Sequence, residues 1–348
     1  MTELAGKPAD YFIGRLCDLG RRLRQAVVAS RGRGNHLSGV ARRTISDTIY
    51  SLDTQVEPEL EHFCGQWGKE LPLLLIAEGV MQQGMPEGQA CFPPGIQPQQ
   101  AAFQLIVDPV DGTRGLMYDK RSAWVLAGIA PNLPNPRLSD IRFAAQVEIP
   151  TSKQIFSDVL WAERGGGAAG WREHIQTGES AALTLSPSQA VDLSHGFGSV
   201  VSFFPGSKIL SARLLEYIAQ GINGPPDPAQ PLLFDDQYIS TGGQLYEILM
   251  GHDRFVIDIR PDLDRLAGNP PGLSAHPYDL ATALIAAEAG ACLTDGRGRP
   301  LDAPLDVHTC VSWAAYANKV LADKIERLTR AFFHDRAPGT APSAAAAP

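Results

Sequence analysis

Along the first part of the chain the apolar positions recur at helical spacing. Phe12, Leu16, Leu19, Leu23, Val27 and Val28 predict an amphipathic helix over residues 10–30. Ile45, Ile49, Leu52, Val56, Leu60 and Phe63 repeat that period over residues 44–67, a second predicted helix with Pro58 as a point of interruption. The period then changes. Residues 71–77 and 103–107 are unbroken apolar runs, the pattern of strands covered on both faces. Between them residues 81–100, rich in Gly, Pro and Gln, read as an exposed loop. Strand patterns at 122–130, 141–149 and 154–161 follow at the close spacing of an antiparallel sheet.

From about residue 183 strands and helices alternate: strand 199–204, helix 207–220, a strand near Tyr238, helix 243–250 and strand 254–259. A Pro- and Gly-rich insertion, 261–275, leads to His276-Pro277-Tyr278-Asp279-Leu280. Leu280, Ala283, Leu284 and Ala287 there form the apolar face of a predicted helix that puts Asp279 in its first turn. A strand at 307–312 and a helix at 314–334 close the pattern. The expected organisation is an antiparallel-rich α+β domain at 9–182, a smaller α/β domain at 183–335, and a disordered Ala/Pro-rich tail at 336–348.

At 348 residues, 44% of them hydrophobic, the chain can bury two such cores and is not disordered throughout. A net charge of −8 argues against nucleic acid or an anionic membrane as partner. Five cysteines, odd in number and without a CxxC pair, suggest neither a disulfide framework nor a zinc site. The N-terminus lacks a basic start followed by an apolar core, and no apolar run reaches membrane-spanning length. The expected location is the cytoplasm.

The chemistry concentrates in Phe103-Gln104-Leu105-Ile106-Val107-Asp108-Pro109-Val110-Asp111-Gly112-Thr113. The sequence predicts that the strand stops at Asp108 and that Pro109 and Gly112 stiffen a short loop presenting two carboxylates to one cation. If Thr113 opens a helix, the N–H groups of Gly112 and Thr113 form an anion site beside it. Asp-Pro and Asp-Gly are also ordinary turn dipeptides. Other acids admit two roles as well. Asp53 and Glu57 share a helix face, Glu78 ends an apolar strand, and Asp279 could simply complement a helix dipole, worth about 0.3–1 kcal/mol. Arg114, Lys120 and Arg121 could meet a second phosphate or be surface charge. The stretch Arg164 to Gly170 lacks both the P-loop and GxGxxG spacings and reads as a hairpin turn.

The string Asp108-Pro109-Val110-Asp111-Gly112-Thr113 resembles the DP-[ILV]-DG-[ST] signature of the inositol monophosphatase family, within the superfamily that includes fructose-1,6-bisphosphatase and the bisphosphate nucleotidases. The segment from His276 to Gly298 resembles its second signature, with Tyr278 where Trp is usual. Residues 51–57 resemble its T-x-x-D-x-x-V-E segment, and Glu78 its metal-binding Glu, with Gly79 in place of a second Glu.

The resemblance covers about residues 10–312. It implies a layered αβαβα sandwich and a Mg2+-dependent phosphomonoesterase acting on a small inositol or sugar phosphate through two or three ions. Glu78, Asp108, the Val110 carbonyl, Asp111 and Asp279 would be ligands, and Thr113 with Asp53 would activate water. Gly112, Thr113, Gly242 and Asp279 would meet substrate, with a sugar-contacting acid near Asp258. It further implies a small phosphorylated metabolite as partner and a homodimer. A bisphosphate nucleotidase and a catalytically silent binding protein of the same fold are the alternatives.

Overall fold

A computed structural model describes residues 3–31, 40–43, 48–50, 53–227, 229–230, 232–270 and 272–336, with side chains described for 3–30 and, within those ranges, from 56 onward. A small hairpin, β1 (Glu3–Leu4) and β2 (Lys7–Pro8), precedes α1 (Ala9–Arg31). A second hairpin, β3 (Val40–Arg43) and β4 (Thr48–Tyr50), precedes α2 (Asp53–Glu70). The large sheet is built from β5 (Leu73–Ala77), β6 (Gln89–Phe92), β7 (Phe103–Asp111), β8 (Ala123–Pro131), β9 (Phe143–Ile149), β10 (Phe156–Glu163), β11 (Gly167–His174) and β12 (Ser180–Leu183), with α3 (Thr113–Met117) between β7 and β8. Its order is β12-β11-β10-β9-β8-β7-β5-β6, antiparallel except where β5 runs parallel to β7.

The second sheet contains β13 (Gly196–Val200), β14 (Leu233–Phe234), β15 (Asp253–Asp258), β16 (Cys292–Thr294) and β17 (Trp313–Tyr316). Its order is β14-β13-β15-β17-β16. Its helices are α4 (Lys208–Asn223), α5 (Thr241–Leu249), α6 (Arg260–Leu266), α7 (Ala283–Glu288) and α8 (Lys319–His334).

Three apolar layers bind these parts into a layered α+β sandwich. Phe12, Leu16, Leu19, Leu23 and Val27 of α1, with Val56, Leu60 and Trp67 of α2, pack on one face of the large sheet. Trp124, Leu126 and Leu160 on its other face meet Leu245 and Ile248 of α5, Leu284 and Ile285 of α7, and Val256 and Trp313 of the second sheet. Leu214 and Ile218 of α4, with Leu321, Ile325 and Phe332 of α8, cover that sheet's far side. The order is therefore helices, sheet, helices, sheet, helices, and the alternation of apolar positions in the sequence is what fills each interface.

Several elements differ from the sequence expectation. The predicted helix over 44–67 is instead strand β4 followed by α2, which begins at Asp53 and runs through Pro58 without a break. The 81–100 segment contains β6, whose short apolar run pairs with β5. The 261–275 insertion begins with α6. Residues 314–316 belong to β17, and α8 starts at Asn318, whose side chain caps it by accepting from the Leu321 N–H. No strand forms at Tyr238; β14 lies at Leu233–Phe234. Among the described residues, no helix is long and apolar enough to cross a membrane.

Candidate active site

Strand β7 does not stop at Asp108. It pairs with β8 as far as Asp111, with a register shift between Asp108 and Asp111. An irregular stretch of this kind re-aims the side chains it carries, and Pro109, which has no N–H to donate, falls within it. The Val110 N–H turns inward to Asp108 Oδ1 at 3.0 Å. Gly112 follows with φ +95°, a left-handed conformation natural to glycine, and caps α3. The Thr113 hydroxyl then donates to the Val110 carbonyl at 2.7 Å. The hexapeptide is thus folded on itself, and both aspartates are almost entirely buried.

Asp111 is held from the other side of the sandwich. Its Oδ2 accepts from the Ser240 hydroxyl at 2.8 Å and the Gly242 N–H at 2.6 Å, and its Oδ1 accepts from the Thr241 N–H at 3.2 Å. Ser240 is also the N-cap of α5, its oxygen accepting from the Gly243 N–H at 2.9 Å. Gly242 stands behind Asp111 and turns its N–H onto that carboxylate. A Cβ there would lie 2.4 Å from Leu126 Cδ2 and 3.1 Å from Asp111 Oδ2.

Asp279 arrives from the second signature, but not in the first turn of a helix. Successive backbone bonds from Asp279 to His276, Leu280 to Pro277 and Ala281 to Tyr278 make a run of tight turns, and α7 begins only at Ala283. Asp279 Oδ2 accepts from the His276 N–H at 2.6 Å. The outcome is a triad: one carboxylate oxygen each of Asp108, Asp111 and Asp279, all within 4.8 Å of one another.

Burial beside other carboxylates raises the proton affinity of Asp108 and Asp111. Burial, then the charges of Asp111 and Asp279, push the Asp108 carboxyl well above the ordinary range. Burial, then Asp279, push Asp111 up to about 7. Glu78, at the end of β5, lines the same cleft and adds to the repulsion at Asp108; the Tyr278 hydroxyl donates to its Oε2 at 3.4 Å. Gly79 has φ +80°, which a glutamate at that position would adopt only with strain. Asp53 opens α2, and its side chain lies outside the described residues, whereas Glu57 one turn later lines the cleft.

The cleft, about 130 Å³, is walled by the triad, by Gly112 to Arg114, by Phe203 and Phe204, and by Arg260 with Leu273 to Ala275. Lys120 is exposed, and Arg121 pairs with Asp236 away from the cleft. Sequence reasoning did not single out Phe203, Phe204 or Arg260. Their approach to the site depends on the second sheet folding back over β7, which no local pattern encodes.

Three carboxylates thus converge at the end of the central strand β7, with Asp111 braced by the hydroxyl and N–H donors at the start of α5. Solved structures carry the same fold. An IMPase of Thermotoga maritima aligns over 92% of this chain and 97% of its own, with a TM-score of 0.58 at 14% identity. The holo fructose-1,6-bisphosphatase of Leishmania major aligns over 96% and 99%, with a TM-score of 0.63 at 13% identity. The extragenic suppressor protein SuhB of Bartonella henselae covers 92% and 98%, with a TM-score of 0.58 at 15% identity. No family model and no curated protein matches the sequence. The fold is that of the inositol monophosphatase and fructose-1,6-bisphosphatase structures, as the resemblance implied.

Proposed function

We propose that this chain is a Mg2+-dependent phosphomonoesterase acting on a small inositol or sugar phosphate, assembled as a homodimer. The observation that carries the proposal is that Asp279, distant in the chain, meets the buried pair Asp108 and Asp111 at one point. Three carboxylates so placed repel one another unless protonated or neutralised, and hard oxygen donors suit Mg2+. Asp108, Asp111 and Asp279, with Glu78 and the Val110 carbonyl beside them, are the residues that would hold it. A bound Mg2+ supplies charge stabilisation to the phosphoryl oxygens and lowers the pKa of coordinated water.

The chain's own groups do the rest. Thr113, fixed by its bond to Val110, holds its hydroxyl where it can orient the attacking water, with Asp53 as the assisting acid. Gly112 and Thr113 line the cleft where their amides can meet the phosphate. The Ser240, Thr241 and Gly242 donors keep Asp111 from rotating as charge develops. A phosphate-release screen across sugar, inositol and nucleotide monoesters, with and without Mg2+, tests the proposal. Release from a sugar or inositol ester that requires Mg2+ is expected. Release from none of them, or preferred release from adenosine bisphosphate, contradicts it.

A further inference from the structure

Behind the aspartates, Gln146 of β9 stands between two leucines. Asp108 of β7, Leu126 of β8, Gln146 and Leu160 of β10 are successive register partners across the large sheet. Such partners share a face, so Gln146 points with Leu126 and Leu160 into the apolar layer beneath α5 and α7. It is fully buried. A leucine or methionine would fill that space without taking an amide out of water, so packing alone gives no reason for a glutamine there.

The amide instead joins the two segments that shape the cleft. Its Nε2 donates to the Gly242 carbonyl at 2.8 Å, and its Oε1 accepts from the Thr282 hydroxyl at 3.0 Å. Gly242 is the residue whose N–H donates to Asp111 Oδ2 at 2.6 Å. Thr282, itself buried, lies three residues after Asp279, where the run of tight turns meets α7. It holds the N-cap position of α7, yet its hydroxyl makes no cap bond there and is turned to Gln146. The turns also lie directly on the sheet, since a Cβ added at Gly128 of β8 would stand 2.9 Å from the Ala281 carbonyl oxygen.

We propose that Gln146 is a positioning residue that fixes the spacing of Asp111 and Asp279, and through it the affinity of the triad for a divalent cation. The proposal rests on the reading of the triad as a cation site. Gln146 does not line the cleft and acts only through Gly242 on one side and Thr282 on the other. Without it, the start of α5 and the turns that carry Asp279 can shift against each other, and the two carboxylates lose their common point. Groups that orient metal ligands from behind contribute about 10- to 100-fold to metal affinity.

Calorimetric titration of Mg2+ into the full metal-free chain reads the effect without turnover. Gln146→Met keeps the shape of the side chain and removes both bonds. Thr282→Val removes one of them, and Thr282→Ser keeps the hydroxyl. Mg2+ affinity is expected to fall about tenfold in Gln146→Met. It should fall about threefold in Thr282→Val, half as much in free energy, and stay near the wild-type value in Thr282→Ser. The double variant Gln146→Met with Thr282→Val should bind no more weakly than Gln146→Met alone, because both break one link.

Ile325→Val in α8, in the layer beyond the second sheet, separates lost stability from lost position. Thermal unfolding of every variant is followed without metal, and Ile325→Val should melt lower while binding Mg2+ as the wild type does. Wild-type affinity in Gln146→Met overturns the proposal, as does a loss in Ile325→Val equal to that in Gln146→Met. If Gln146→Met does not fold, the Thr282 pair decides, and equal affinity in Thr282→Val and Thr282→Ser overturns it. A wild-type chain that takes up no Mg2+ overturns the cation reading and this role together. Mg2+ uptake that every variant shares unchanged overturns the role of Gln146 alone.

Discussion

At the scale of single residues, the site depends on one carboxylate serving two structures. Asp111 belongs to β7 of the large sheet, but its hydrogen-bond donors come from Ser240, Thr241 and Gly242 at the start of α5. Its position is therefore as good as the packing of α5 on β8. Gly242 is where that packing is tightest, since an added methyl would collide with Leu126 and press on Asp111 Oδ2. We expect Gly242→Ala to destabilise the fold by about 1–3 kcal/mol through overpacking. Phosphate release should fall further than the stability loss explains, because the methyl displaces Asp111. Thermal unfolding and kcat measured side by side check this. An unchanged kcat in a folded variant would show that Asp111 tolerates the shift.

At the scale of elements, α2 carries its own flaw. Pro58 sits six residues into the helix, where it cannot donate to the preceding turn, and it is exposed. Pro58→Ala should raise stability by roughly 1–3 kcal/mol, read as a higher denaturant midpoint with an unchanged m-value. A lower midpoint would mean that the proline is needed to shape the entry to the helix.

The helix at Pro58 also shows where sequence reasoning stops. Helices α1 and α8 were legible because their apolar positions keep one period for several turns. The start of α2 was not, because Ile45, Ile49 and Leu52 fit a helical period while residues 48–50 pair in a strand. Short strands such as β6 and β16 carry too few residues to show alternation. The DPVDGT string was legible as a turn with two acids. That β7 continues to Asp111 and bends there depends on β8, which pairs with it up to Trp124. Asp279 was legible as a residue but not as a conformation, since Pro277 suits a tight turn as well as a helix start.

At the scale of the whole molecule, Asp108 and Asp111 are buried beside other carboxylates, so their ionisation is coupled to folding. The Asp111 carboxyl is raised from an ordinary value of 3.8 to about 7, with Asp108 raised as well. Between those values the unfolded chain has released protons that the folded protein retains. The metal-free protein should therefore lose stability as the pH rises from about 4 to 7. On the proposed reading, Mg2+ would bind the ionised carboxylates and should restore more stability at pH 8 than at pH 5. Melting curves in EDTA and in Mg2+ across that range test the linkage. A metal-free melting temperature that climbs over the same interval would contradict it. The central claim is that these aspartates gather a cation to hydrolyse a phosphate ester, and phosphate release by the wild-type protein, Asp111→Asn and Asp279→Asn in Mg2+ tests it most directly. Release by the wild type that vanishes with EDTA and in both folded variants is the predicted result, and release that persists in either variant would contradict the account.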